Sequence, residues 1–187
     1  VGTAVNFLSC RFKGVAAVWL AQIDYGNFID CVFHGNSTIN GIQFLVVTTT
    51  TWVSVVKNCT FYNLVDCWEI ANAASVNFLI AVDNHISGCT KWLDNPYSAT
   101  SDAGFIEMNN RYRNVTTPRT GIRQLVNAGE ITTAGSDATD YRSVADGDFT
   151  LIPGAPGRNT AMMQYTDIGA YQHNEPIDRP EMLVIGS

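Results

Sequence analysis

An eight-residue pattern that occurs five times constrains this chain more than any other feature. Phe7-Leu8-Ser9-Cys10-Arg11-Phe12-Lys13-Gly14 reappears as Phe28-Ile29-Asp30-Cys31-Val32-Phe33-His34-Gly35 and as Val56-Lys57-Asn58-Cys59-Thr60-Phe61-Tyr62-Asn63. Looser copies run from Ala81 to Gly88 and from Glu107 to Asn114, the last with Glu107 in the otherwise apolar first position. The shared frame is apolar, any, Ser/Asp/Asn, Cys/Asn, any, aromatic or Ile, any, Gly/Asn. Its fourth position falls at 10, 31, 59, 84 and 110, a variable period of 21 to 28 residues. Self-similarity at such a period marks a solenoid, in which no single repeat can bury its own apolar face. The Leu-x-x-Leu-x-Leu frame of a leucine-rich repeat is absent.

Within a copy, side chains alternate between two faces. Cys10, Cys31, Cys59, Asn84 and Asn110 are expected to point inward and stack, as are Phe12, Phe33, Phe61, Ile86 and Tyr112. The closing Gly or Asn turns the chain, because both tolerate positive φ. Further strand-like stretches follow each corner, such as Ala17–Leu20, Ile42–Leu45, Cys67–Ile70 and Lys91–Leu93, and a third precedes the next copy, as in Trp52–Val56. An antiparallel sandwich would show Asn-Gly or Asp-Gly hairpin turns between most of its strands, and the chain has only two such pairs, Asn40-Gly41 and Asp146-Gly147. The reading is all-β: a right-handed parallel β-helix of about five coils over residues 1–116, with residues 117–187 forming a less regular C-terminal coil and capping segment of the same domain.

Composition agrees. Of 187 residues, 46% are hydrophobic and only 15% charged, which suits buried strands joined by uncharged turns. A net charge of −6 argues against nucleic acid as a partner, since phosphate neutralisation needs a basic surface. No run of 18 apolar residues occurs, so no membrane insertion is expected. Five cysteines without a CxxC pair fit neither a disulfide framework nor zinc. The chain opens on Val1 in strand-like sequence, which reads as a piece of a longer or processed protein.

After the repeats come Asp148-Phe149-Thr150-Leu151-Ile152-Pro153-Gly154-Ala155-Pro156 and then Asp167-Ile168-Gly169-Ala170-Tyr171-Gln172. Over about residues 148–172 the chain resembles right-handed parallel β-helix proteins of the secreted bacterial and phage-encoded type. Many of these end in an Asp-aromatic-x-Leu element followed by Asp-Ile-Gly-Ala. Ala155-Pro156-Gly157-Arg158-Asn159 departs from the Ser-Pro-Ala-Ile-Asp found in many members. The resemblance implies an extracellular, cell-surface or virion setting, with assembly as a homotrimer or larger. It does not single out an activity, because the group includes polysaccharide lyases, surface proteins and virion spikes. The Pro-Gly-rich stretch 153–157 is expected to close the open end of the solenoid, where an unpaired strand edge would otherwise invite aggregation.

The outward positions of the repeat form two rows, Lys13, His34, Tyr62, Ser87, Arg113 and Arg11, Val32, Thr60, His85, Arg111. They collect four of the eleven Lys and Arg and two of the three His of an acidic chain. Arg11, Lys13, His34, Tyr62, His85, Arg111 and Arg113 are therefore the candidate ligand-binding residues, a cationic and aromatic strip suited to an extended acidic glycan. No carboxylate cluster accompanies these rows, so no catalytic residue, metal or cofactor is assigned. Asp30 and Asp83 fall two coils apart, roughly 10 Å, beyond the spacing of most paired-carboxylate glycosidases. The functional expectation is a structural or glycan-contacting module of a virion or bacterial surface protein. The alternative is a polysaccharide lyase or hydrolase domain acting on an acidic glycan.

Overall fold

A computed structural model describes residues 5–14, 19–23, 26–44, 51–70, 76–96, 103–121, 123–133, 135–161 and 167–170. Each of the first five coils has three strands. They are β1 (Val5–Leu8), β2 (Arg11–Lys13), β3 (Trp19–Ile23); β4 (Gly26–Ile29), β5 (Val32–His34), β6 (Asn40–Phe44); β7 (Thr51–Lys57), β8 (Thr60–Tyr62), β9 (Asp66–Ile70); β10 (Val76–Val82), β11 (His85–Ser87), β12 (Lys91–Asp94); and β13 (Ala103–Met108), β14 (Arg111–Arg113), β15 (Thr117–Thr120). A sixth coil contributes β16 (Arg123–Ala128) and β17 (Ile131–Thr133). Strands pair in parallel with their counterparts one coil away, giving three sheets of six, six and five strands. The chain is thus a parallel β-solenoid. The coils continue past residue 116 with β15 to β17, in the span read from the sequence as a less regular C-terminal coil. In β16–β17 the marker residues have changed: Gly129 takes the third position, Glu130 the fourth and Thr132 the aromatic site, so the pattern is hard to see.

The repeat is two strands rather than one. Its third position is the corner between the first and second sheets, and Ser9, Asp30, Asn58, Asp83 and Asn109 all hold a left-handed φ of 50–56° there. Short polar side chains tolerate this conformation, and here they also interlock. Asn58 Nδ2 donates to Asp30 Oδ1 at 2.9 Å and Asn109 Nδ2 to Asp83 Oδ1 at 2.7 Å. The eighth position is a second corner, left-handed at Asn63, Gly88 and Asn114.

Register makes the inward stacks explicit. Phe12, Phe33 and Phe61 stack with centroids 4.7 Å apart and planes within 4°, and Phe7 stacks on Phe28 at 4.7 Å. Phe33 and Phe61 are fully buried, as the sequence anticipated. Beside them runs the fourth-position ladder. The Cys31 amide donates to Cys59 Sγ at 3.4 Å, the Cys59 amide to Asn84 Oδ1 at 2.9 Å and the Asn84 amide to Asn110 Oδ1 at 2.8 Å. Cys and Asn thus perform one task, accepting a corner amide that the strands leave unpaired. The five cysteines are free thiols.

At the C-terminal end the core turns polar. Glu107, stacked in register on Ala81, is fully buried and bonds Arg119, whose guanidinium lies 5.7 Å from the Tyr112 ring and also reaches Glu130 at 2.8 Å. Burial pushes the Glu107 carboxyl upward, against the pull of Arg119. This polar plug joins the fifth coil to the sixth, through Arg119 between Glu107 and Glu130. The segment after the coils, with α1 (Asp137–Asp140), β18 (Tyr141–Ser143) and β19 (Asp148–Leu151), packs along the flank of the solenoid.

Candidate functional site

The flank it covers is the outer face of the second sheet, which holds both predicted rows. Their register is as read from the sequence: Arg11, Val32, Thr60, His85 and Arg111 are successive partners, as are Lys13, His34, Tyr62, Ser87 and Arg113. Their environment is not. Tyr62, His85, Arg111 and Arg113 are buried, the last three at no more than 2% exposure. The expectation that these four face solvent is corrected by the C-terminal segment, which lays Tyr141, Phe149, Leu151 and Ala155 over Val32 and Tyr62.

The buried cations have dedicated partners. Arg111 Nη2 meets Asp140 Oδ2 at 3.0 Å, and Arg113 reaches the same oxygen at 3.1 Å and Asp137 Oδ1 at 2.6 Å. Tyr62 donates to Asp137 Oδ2 at 2.5 Å. Burial alone would raise Asp137, but the bonds from Tyr62 and Arg113 outweigh it and hold the carboxyl below its ordinary range. Burial, aided by Asp137, pushes the Tyr62 hydroxyl far up. His85 lies at the centre: Arg111 Nη1 is 2.9 Å from its Nε2, and Tyr141 Oη is 3.2 Å from its Nδ1. A guanidinium only donates, so Nε2 accepts and the ring is neutral with its proton on Nδ1. Burial, then Arg111 and Arg113, hold its pKa well below the ordinary histidine value.

The Asp-Ile-Gly-Ala element sits against the same face. The Gly169 amide donates to the Asp83 carbonyl at 2.9 Å and the Ala170 amide to Thr60 Oγ1 at 3.0 Å. Gly169 has φ +108°, and a Cβ there would come within 2.8 Å of Thr60 Oγ1 and 3.1 Å of His85 Cβ. Only glycine lets the backbone approach the coils this closely. Tyr171 and Gln172 lie outside the described residues.

Three predicted residues keep access to solvent. Arg11 and Lys13 are exposed and His34 is half-buried. Arg11 lies against the Gly147 backbone, its Nη2 1.6 Å from where a Cβ would stand. It also borders a cavity of about 170 Å³ lined by Ser9, Cys10, Asp30, Val32 and Ala170. His34 packs edge-on against Tyr62 and Phe149, each at 5.3 Å, and burial followed by Lys13 and Arg11 lowers its pKa.

A second polar cluster was missed by the sequence reading. On the third sheet, Cys67-Trp68 and Trp92-Leu93 all enter the core, so the residues flanking each pair emerge together on the other side. Lys91 Nζ lies 2.7 Å from Asp94 Oδ2 and 3.8 Å from Asp66 Oδ1. Burial raises both Asp66 and Glu69, and Asp94 adds to each. The i,i+3 charges in two aligned coils were the available signal. Strict alternation hid it by sending Asp66 and Glu69 to opposite faces.

Among the described residues no group of three or more His, Cys, Asp or Glu is placed to hold a metal ion, and no helix is long and apolar enough to cross a membrane. No protein-family model, no curated protein and no solved structure matches the chain.

Proposed function

We propose that this chain is a rigid structural module of a virion or cell-surface protein, whose contact with an acidic glycan is confined to the Arg11–Lys13 edge of the second sheet. One observation carries the reading: the chain builds its own cover over most of the cationic strip and satisfies Arg111 and Arg113 internally. The cations left for a ligand are Arg11 and Lys13, two positions apart on β2 and therefore on one face about 7 Å apart, with His34 and the small cavity beside them.

Titration with a uronate-containing polysaccharide tests this. Binding is expected to weaken as salt rises, because exposed charges are screened over about 10 Å at 0.1 M. It is also expected to disappear in Arg11→Ala/Lys13→Ala. Binding that survives in the double variant rejects the assignment.

A second reading, a hydrolase acting on such a glycan, is favoured by Asp66, Glu69 and Asp94 around Lys91, since a carboxyl whose pKa is raised by burial suits a general acid. Reducing ends released by the wild type and abolished in Glu69→Gln would establish it. Unsaturated products absorbing in the ultraviolet would point to a lyase instead.

A further inference from the structure

We propose that the C-terminal segment is an acid-releasable clamp: protonation of His85 lifts residues 137–151 off the second sheet and uncovers its cationic outer face. The charge balance around an enclosed imidazole would drive the release. His85 is enclosed by Thr60 of β8, Arg111 and Arg113 of β14, Asp140 of α1 through the two arginines, Tyr141 of β18 and Gly169 of the Asp-Ile-Gly-Ala element. With His85 neutral, two guanidiniums face the carboxylates of Asp137 and Asp140, and the formal charges cancel. One more proton leaves a net buried cation. It also converts Nε2 from an acceptor into a donor aimed at a guanidinium 2.9 Å away. An uncompensated buried charge is far costlier than a solvated one.

The cheapest relief is local. The solenoid ladder around His85 is continuous through β5, β8, β11 and β14, whereas β18 and β19 pair only with each other. The clamp also takes part in a hydrophobic cluster separate from the inner stack. Opening therefore exposes the imidazole without breaking a coil. Because the closed state depresses the His85 pKa, opening takes up a proton. The clamp holds fully above the free-imidazole value near 6.5 and loosens about tenfold per pH unit below it, down to the pKa of the buried ring. Asp137 acts in a separate window. Its carboxyl is held low by the clamp, so its contribution fades only as pH falls below about 3.9.

The test is amide hydrogen exchange on the full chain between pH 7.5 and 4.5, corrected for the intrinsic pH dependence of exchange. Protection across 137–151 is expected to fall by up to about tenfold per pH unit below 6.5, the slope of one proton taken up, while β8 and β11 keep theirs. In His85→Gln, which retains an acceptor for Arg111 but cannot be protonated, protection across 137–151 should not change in that window. Unchanged protection in the wild type overturns the proposal, as does an identical loss in His85→Gln or a loss shared in step by β8 and β11. Should the variant fail to fold, the carbon-13 histidine signals of the wild type decide. The three histidines are His34, His85 and His173, and His34→Gln and His173→Gln leave the His85 resonance assigned by elimination. Its titration must coincide with clamp opening. Titration near pH 6.5 with the clamp still closed refutes the mechanism.

Discussion

Asp140→Ala is the sharpest probe of the buried network. Asp140 is 1% exposed, and one of its carboxylate oxygens accepts from Arg111 at 3.0 Å and Arg113 at 3.1 Å, both guanidiniums being nearly inaccessible. Removing that carboxylate strands Arg111 outright, because its remaining side-chain contacts are Thr133 Oγ1 and the His85 ring. Arg113 still has Asp137, which is half exposed. Breaking one side of a buried ion pair costs about 3–5 kcal/mol, since the partner charge stays buried without compensation. At about 2–4 °C per kcal/mol for a chain of this size, the midpoint should drop by roughly 6–20 °C. Urea unfolding of Asp140→Ala beside the wild type measures the loss. Hydrogen exchange shows whether it appears first across β18 and β19, as a clamp would require. Replacing all three groups by apolar residues of similar size, Arg111→Met/Arg113→Met/Asp140→Leu, should recover much of the loss, because no charge is then left buried. A shift in Asp140→Ala below about 0.5 kcal/mol, the range of surface substitutions, would mean that the arginines find water and that the face is open.

Three further outcomes follow from the geometry. Phe33→Ala removes the middle ring of a stack of three at 4.7 Å spacing and should cost about 3–5 kcal/mol in urea unfolding through lost burial and a cavity. Asn84→Ala withdraws the acceptor of the Cys59 amide in a fully buried ladder, and should cost about 1–3 kcal/mol for a polar group left unsatisfied; Asn84→Cys, matching the preceding rungs, should cost less. Gly169→Ala forces a side chain at φ +108° against Thr60 and His85, so it should expose 137–151 to limited proteolysis at neutral pH while Phe33 and Phe61 stay packed, as read by near-ultraviolet circular dichroism.

The eight-residue repeat was enough to specify the coils, because every inward position answers to a neighbour one coil away under the same constraint. Phe must stack on Phe, and the fourth position must accept an amide. Such demands recur at each turn and leave a periodic trace. The Glu107 departure from that trace was legible too, although its meaning was not. It opens a polar plug whose Arg119 comes from the third strand of the same coil.

Alternation likewise gave the direction of Arg111, Arg113, Tyr62 and His85 correctly, away from the inner stack. It could not say whether that direction led to water. Pointing outward is a local property of a strand, whereas being covered depends on a segment distant in the chain: Tyr62 meets Asp137 75 residues on, and Thr60 meets Ala170 110 residues on. These contacts occur once, so they leave no periodicity. Their trace in the sequence was a pair of aspartates at 137 and 140 and the Asp-Ile-Gly-Ala element around Gly169, none of which names a partner. Their partners were fixed only when the tertiary fold brought the carboxylates onto the arginines, where burial makes the pairing obligatory.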